Sequence, residues 1–173
     1  SAGGRFTIDG STGVVTVANS SLLNYEVATS HGITVRATSA DTSFSTQSFT
    51  INLTDVDEFD VGSVTDSNAA ANSLAENSAN GTAVGITAAA TDADGTTNTI
   101  TYSLDDSAGG RFAIDSITGV VTVANGLLLD REAAASHSIT VRATSADTST
   151  QTRTFVIAVN DVNEFSVTSV ADL

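Results

Sequence analysis

A gapless internal repeat constrains this chain more than anything else in it. Residues 1–59 align on residues 107–165 at an offset of 106 positions, and 40 of the 59 pairs are identical. Ser1-Ala-Gly-Gly-Arg-Phe6 returns as Ser107-Ala-Gly-Gly-Arg-Phe112, and Thr12-Gly-Val-Val-Thr-Val-Ala-Asn19 returns at 118–125. A repeat of about 106 residues implies three pieces. Residues 1–59 are the back half of one module, 60–165 a complete module, and 166–173 the start of a third. Each copy ends on an acidic run, Asp55-Val56-Asp57-Glu58-Phe59 and Asp161-Val162-Asn163-Glu164-Phe165.

Within the complete module, apolar residues recur with period two. A first strand is predicted from Phe59-Asp60-Val61, then strands at 83–89, 100–104, 112–114, 120–123, 139–143 and 154–159. The tract 127–135 predicts a helical turn, and 115–119 a tight turn. About seven short strands in about 100 residues predict an all-β fold, an immunoglobulin-like Greek-key β-sandwich in tandem modules. The predicted core is Val84, Ile86, Ile100, Tyr102, Leu104, Phe112, Ile114, Val121, Val123, Leu128, Ile139, Val141, Phe155, Ile157 and Val159.

Charge then narrows function. Twenty acidic residues face six basic ones, all arginine, for a net charge of −14. Nucleic acid and anionic membrane surfaces are poor partners for such a chain. Carboxylate oxygens are hard ligands, suited to Ca2+. With no cysteine there is no disulfide clamp, thiolate site or cysteine nucleophile. No stretch is long and apolar enough for a membrane span. His31 and His137 stand at strand starts with no second histidine near in sequence, so a surface role outweighs zinc. Arg5 and Arg111 are expected to pair with carboxylates. No nucleophile elbow or carboxylate-lined cleft is legible, so an enzyme is not expected.

Five motifs occur in register: Ala75-Glu76-Asn77, Asp92-Ala93-Asp94-Gly95, Phe112-x-Ile114-Asp115-x-x-Thr118-Gly119-x-Val121, Leu129-Asp130-Arg131-Glu132 and Asp161-Val162-Asn163. Together they resemble cadherin repeats, in particular the cadherin-like repeats of large bacterial extracellular surface proteins of the adhesin type. Both linkers depart from the family's Asp-x-Asn-Asp-Asn by carrying Glu58 or Glu164 and Phe59 or Phe165. The first copy reads Asn24-Tyr25-Glu26 in place of Asp-Arg-Glu. The family's ligand Asp in its Val-x-Ala-x-Asp strand is Ser145 here, with Asp147 two residues on.

The resemblance implies a ligand set. Asn24, Glu26, Asp55, Asp57 and Glu58 would meet Asp92 and Asp94 around Ca2+, with Asp147 as an outer candidate. Glu76, Asp130, Glu132, Asp161, Asn163 and Glu164 would form the second set. The function implied is a calcium-dependent structural and adhesive segment of a long extracellular repeat protein, with Ca2+ rigidifying the joints between modules. Two alternatives stay open. One is a module binding a glycan or a partner repeat on another chain or cell; the other is a strand-complemented filament subunit. The partners expected are neighbouring modules of the same protein.

Overall fold

The protein is described by a computed structural model covering residues 1–164; Phe165 and the third-module start at 166–173 lie outside the described residues. Two compact units result. The first joins Ser1–Glu58 with Asp94–Thr96, and the second joins Phe59–Ala93 with the described residues from Thr97 on.

The second unit holds eight strands. They are β5 (Thr65–Asp66), β6 (Ser73–Ala75), β7 (Ala83–Ala89), β8 (Ile100–Asp106), β9 (Phe112–Ile114), β10 (Val120–Val123), β11 (Ser136–Ser145) and β12 (Thr150–Asn160). They form two four-stranded sheets, ordered β5-β7-β10-β9 and β6-β12-β11-β8. β6 runs parallel to β12, while the other pairings are antiparallel. This is the expected β-sandwich. Alternation produces its interior: Ile139, Val141, Ala143 and Ser145 of β11 are buried, and so are Phe155, Ile157 and Val159 of β12. Val84, Ile86 and Ala88 of β7 with Val121 and Val123 of β10 complete the core from the other sheet.

The core differs from the expected one in instructive places. Leu128 is 39% exposed and Leu129 takes its place at 0%. Asn125 caps a 3₁₀ turn at Gly126–Leu128, accepting from Leu127 N–H. The chain leaves that turn extended at Leu129, so only the third leucine of the run points inward. Ile100, Tyr102, Leu104 and Ile114 pack against the core only partly buried. Residues 59–61 form no strand. Val61 is buried, but its N–H donates to Ser149 Oγ at 2.8 Å, and Gly62 N–H donates to Thr91 O at 2.7 Å. The backbone is satisfied by single bonds rather than a ladder.

Gly126 has a packing requirement. A Cβ there would lie 1.9 Å from Ser78 O, and its N–H donates to Asn80 Oδ1 at 2.9 Å. Only glycine lets the two segments approach so closely.

The first unit holds β1 (Phe6–Ile8), β2 (Val15–Val17), β3 (Ser30–Thr38) and β4 (Phe44–Asn52). Among the described residues β1 pairs only with β2 and β3 only with β4, each antiparallel. By the repeat these correspond to β9 through β12. Phe6 and Ile33 are its buried apolar residues.

Candidate metal site

In the first unit a 3₁₀ turn at Ser20–Leu22 leads into a second turn built by Asn24. Asn24 Oδ1 accepts from Val27 N–H at 2.8 Å, and its carbonyl accepts from Ala28 N–H at 3.1 Å. That turn sets Glu26 beside the extended stretch after β4, which carries Asp55 and Glu58. Glu26, Asp55, Glu58 and Asp94 each place a carboxylate oxygen so that all four atoms lie within 4.8 Å of one another.

The local hydrogen bonds organise this group without neutralising it. Asp94 is 2% exposed, and accepts from Glu58 N–H at 3.3 Å and from Thr96 N–H at 3.1 Å. Thr96 Oγ1 donates to Asp55 Oδ2 at 2.5 Å. Glu26 Oε1 and Asp55 Oδ1 are buried and accept no hydrogen bond. Burial, and then the charges of Glu26, Asp55, Asp94 and Asp57, push the Glu58 carboxyl above its usual range. Two orphaned oxygens among four crowded carboxylates lack a positive partner, and a hard divalent cation fits that lack. Glu26, Asp55, Glu58 and Asp94 are the residues that would hold it. Gly95 packs closely here: a Cβ would lie 3.0 Å from Tyr25 Cδ1 and 3.4 Å from Glu26 Oε1, so those side chains would have to give by a few tenths of an ångström.

A second group forms in the second unit, where Glu76, Glu132 and Glu164 meet the same 4.8 Å condition. Glu76 is 2% exposed; its oxygens accept from Arg131 N–H at 2.6 Å and Val162 N–H at 2.7 Å. Those backbone bonds hold its carboxyl below the usual range. Glu132 moves the other way: its own backbone N–H favours the charge, but burial and the charges of Glu76, Asp161 and Glu164 outweigh that and raise it. Asn77 Nδ2 donates to Glu164. Asp130 lines an open pocket of about 170 Å³ with Asn77, Leu127, Glu132 and Glu164, while its Oδ1 accepts from Ala133 N–H at 2.9 Å.

The remaining expected ligands are not among the carboxylates that meet that 4.8 Å condition. Asp92 accepts from Ser145 Oγ at 2.5 Å, and Ser145 is itself buried. Asp147 Oδ1 accepts from Ser149 N–H at 2.7 Å, leaving a buried Oδ2 with no hydrogen-bond donor. Asn163 is exposed. Asn24 and Asp130 serve their turns, as described. Sequence reasoning missed Tyr25, Gly95 and Thr96 as parts of the first group. Asp94-Gly95 carries an ordinary turn signal, and nothing in the spacing showed that Tyr25 would sit against it.

The isolated candidates resolve simply. His31 and His137 pack beside Phe6 and Phe112, with ring centroids 6.1 and 6.3 Å apart, and neither Nε2 finds a hydrogen-bond partner. Arg5 and Arg111 donate to backbone carbonyls, of Leu22 and Ala2 and of Leu128 and Ala108, rather than to the carboxylates expected. Both tyrosines are partly buried, Tyr102 with its hydroxyl accepting from Ala90 N–H at 3.0 Å.

Comparison with known proteins decides the family, for the cadherin domain matches residues 71–160. The chain belongs to the cadherin family. Human cadherin-related family member 2 is 36% identical over 153 residues, spanning 87% of this chain and 12% of that protein. Human protocadherin Fat 1 is 34% identical over 165 residues, spanning 93% of this chain and 4% of that protein. The chain thus spans about an eighth or less of the curated relatives it matches. Among solved structures, mouse cadherin-23 EC22-24 superposes with a TM-score of 0.76 at 27% identity, covering 93% of this chain and 51% of that one. Chicken VE-cadherin EC1-2 gives 0.66 at 25% identity, covering 91% and 78%. Among the described residues no helix is long and apolar enough to cross a membrane.

Proposed function

We propose that this chain is a calcium-dependent structural and adhesive segment of a long extracellular cadherin-type protein, in which Ca2+ rigidifies the joints between modules. The observation that carries the reading is the first acidic group, with Glu26 Oε1 and Asp55 Oδ1 buried and without donors. Calcium takes six to eight oxygens in flexible geometry, which a set of carboxylates and nearby carbonyls supplies better than Mg2+ demands. Like charges this close repel by about 1 kcal/mol per pair even at water's dielectric, so cation binding and ordering of residues 53–58 are coupled. Asp57, Asn24, Asp92 and Asp147 stand as outer contributors. The second group, Glu76, Glu132 and Glu164, stands as a further site of the same kind. The likeness to repeats of bacterial adhesin-type proteins belongs to this reading as well; the named relatives are human, mouse and chicken proteins. A glycan partner is not favoured, since both tyrosines are partly buried and tryptophan is absent.

Calorimetric titration of the metal-free chain with Ca2+ tests the proposal. Saturable binding in the range of about 10⁻⁴–10⁻³ M, typical of extracellular modules, is expected. Glu26→Gln should weaken it by at least about tenfold, one lost charge-assisted ligand being worth 1.4 kcal/mol or more. Glu132→Gln should weaken only a second, looser event, because among the described residues three carboxylates converge there rather than four. At a Ca2+ concentration of 100 Kd the melting free energy of the first unit should rise by about 2.7 kcal/mol. Absence of heat, with identical melting in chelator and in Ca2+, would sink the reading.

A further inference from the structure

The two copies of the repeat differ at a residue that stands between two of the implied ligands. The first reads Asn24-Tyr25-Glu26 and the second Asp130-Arg131-Glu132. A neutral aromatic thus takes the place of an arginine beside the first acidic group. Its ring is partly buried and lies against Gly95. A Cβ on that glycine would lie 3.0 Å from Tyr25 Cδ1, 3.2 Å from Cε1 and 3.4 Å from Glu26 Oε1. Ring and ligand carboxylate therefore flank the same backbone position. On one side of Gly95 stands Asp94, whose carboxylate joins the group. On the other stands Thr96, whose hydroxyl donates to Asp55 Oδ2 at 2.5 Å. The segment Asp94–Thr96 falls between β7 and β8 and belongs to neither strand, so no ladder fixes it. A tyrosine suits the task of seating it. With two side-chain torsions it packs a broad, stiff surface at low entropic cost, and the glycine lets that surface come close.

We propose that Tyr25 is a positioning residue for the first acidic group: its ring seats Gly95 and so holds Asp94 and Thr96 where they complete a cation site with Glu26, Asp55 and Glu58. That a divalent cation is the ligand rests on the calcium reading above; the seating of Gly95 by the ring needs no metal. Arginine in this place would bring a fixed positive charge beside four carboxylates and oppose the incoming ion. The two acidic groups of this chain therefore differ by more than their carboxylates. Tyrosine favours cation binding at the first, and arginine moderates it at the second.

Three variants of the full chain separate ring, hydroxyl and charge. Tyr25→Phe keeps the ring, Tyr25→Ala removes it, and Tyr25→Arg writes in the residue of the second copy. In chelator, amide exchange read by NMR should quicken in Tyr25→Ala at Glu58 and Thr96, whose N–H groups bond Asp94, and stay unchanged in Tyr25→Phe. The first Ca2+ event should weaken about tenfold in Tyr25→Ala, the loss expected when the competent arrangement falls to about a tenth of the population. Tyr25→Phe should bind as the unaltered chain does. Tyr25→Arg should lose more than Tyr25→Ala, and the excess should shrink as salt is raised. Tb3+, a hard cation that takes oxygen ligands as Ca2+ does, reads proximity directly. The chain has two tyrosines and no tryptophan, and the other tyrosine, Tyr102, packs in the core of the second unit. Tyrosine-sensitised Tb3+ emission from the first site should therefore be lost in Tyr25→Phe although its affinity is kept. Equal Ca2+ affinity and equal exchange in Tyr25→Ala and the unaltered chain would overturn the positioning role and leave the calcium reading standing. Quickened exchange in Tyr25→Ala, with no Ca2+ bound by any variant, would refute the calcium reading while upholding the seating. Sensitised emission that survives Tyr25→Phe would put the ion away from this ring and overturn the proposal.

Discussion

Residues 1–59 and 107–165 are nearly the same sentence written in two contexts, and they separate what short-range chemistry decides from what neighbours decide. Turns are identical in both. Asp9 Oδ1 accepts from Ser11 and Thr12 N–H at 2.9 and 2.7 Å, and Asp115 Oδ1 accepts from Ile117 and Thr118 N–H at 3.0 and 2.7 Å. Asn19 and Asn125 cap the same 3₁₀ turn. Burial and side-chain partners diverge instead. Arg142 forms an ion pair with Asp105 on β8 at 2.6 Å. Its counterpart Arg36 has no β8 beside it and lies over the Phe44 ring, 5.4 Å from the centroid, where the other copy has Thr150. Side chains follow the neighbours they are given, while Asx turns and caps need only their own few residues.

The sharpest way to break that comparison is a matched pair of substitutions. Phe155→Ala removes a core ring and should cost about 3–5 kcal/mol. Phe49→Ala, at the equivalent but half-exposed position, should cost under about 1 kcal/mol. Thermal unfolding by circular dichroism, with hydrogen exchange to assign each transition, reads both. Equal costs would mean that the face of the first unit is covered after all, and the contrast between copies would collapse.

A smaller effect sharpens the same contrast at one atom. Gly126→Ser writes the first copy's residue into the second, where its Cβ would meet Ser78 O at 1.9 Å. Destabilisation of about 1–3 kcal/mol is expected from the overpacking. Ser20→Gly should shift the stability of the chain by no more than about 1 kcal/mol, the ordinary cost of a glycine. If Gly126→Ser is neutral, the two segments approach less closely than 1.9 Å implies.

How much of this was legible from residues follows the same division. Period-two alternation located β7, β11 and β12, because a strand covered on one face must alternate. It misplaced the first strand, since Val61 is buried by a segment whose N–H groups bond a serine hydroxyl and a lone carbonyl instead of a ladder. It chose Leu128 over Leu129, because the phase of a three-residue turn cannot be read from a run of three leucines. Repetition and family motifs pointed to Glu26, Asp55, Glu58 and Asp94 before any geometry was known. They did not show that Ser145 would bond Asp92, or that Gly95 makes room for Tyr25. Those are contacts between segments tens of residues apart, on which spacing along the chain is silent.

The smallest expected effect concerns His137. Burial, and then the charge of Arg111, hold its imidazole below the usual value of 6.5. A histidine with a lowered folded-state pKa binds fewer protons than the unfolded chain does just below that value. Stability is therefore unaffected above about pH 6.5, falls as the pH drops from there to the folded-state pKa, and levels off below it. The loss should stay under the roughly 1.4 kcal/mol that one full pKa unit represents, because the ring is only partly buried. Glu58 and Glu132 act in the opposite sense: their raised carboxyls make the metal-free protein gain stability as they protonate. Melting in chelator across this range, compared between the unaltered chain and His137→Gln, isolates the histidine because both proteins share the carboxylates. A slope below pH 6.5 that survives His137→Gln would assign it elsewhere, and the Phe112–His137 packing would then be without consequence for pH.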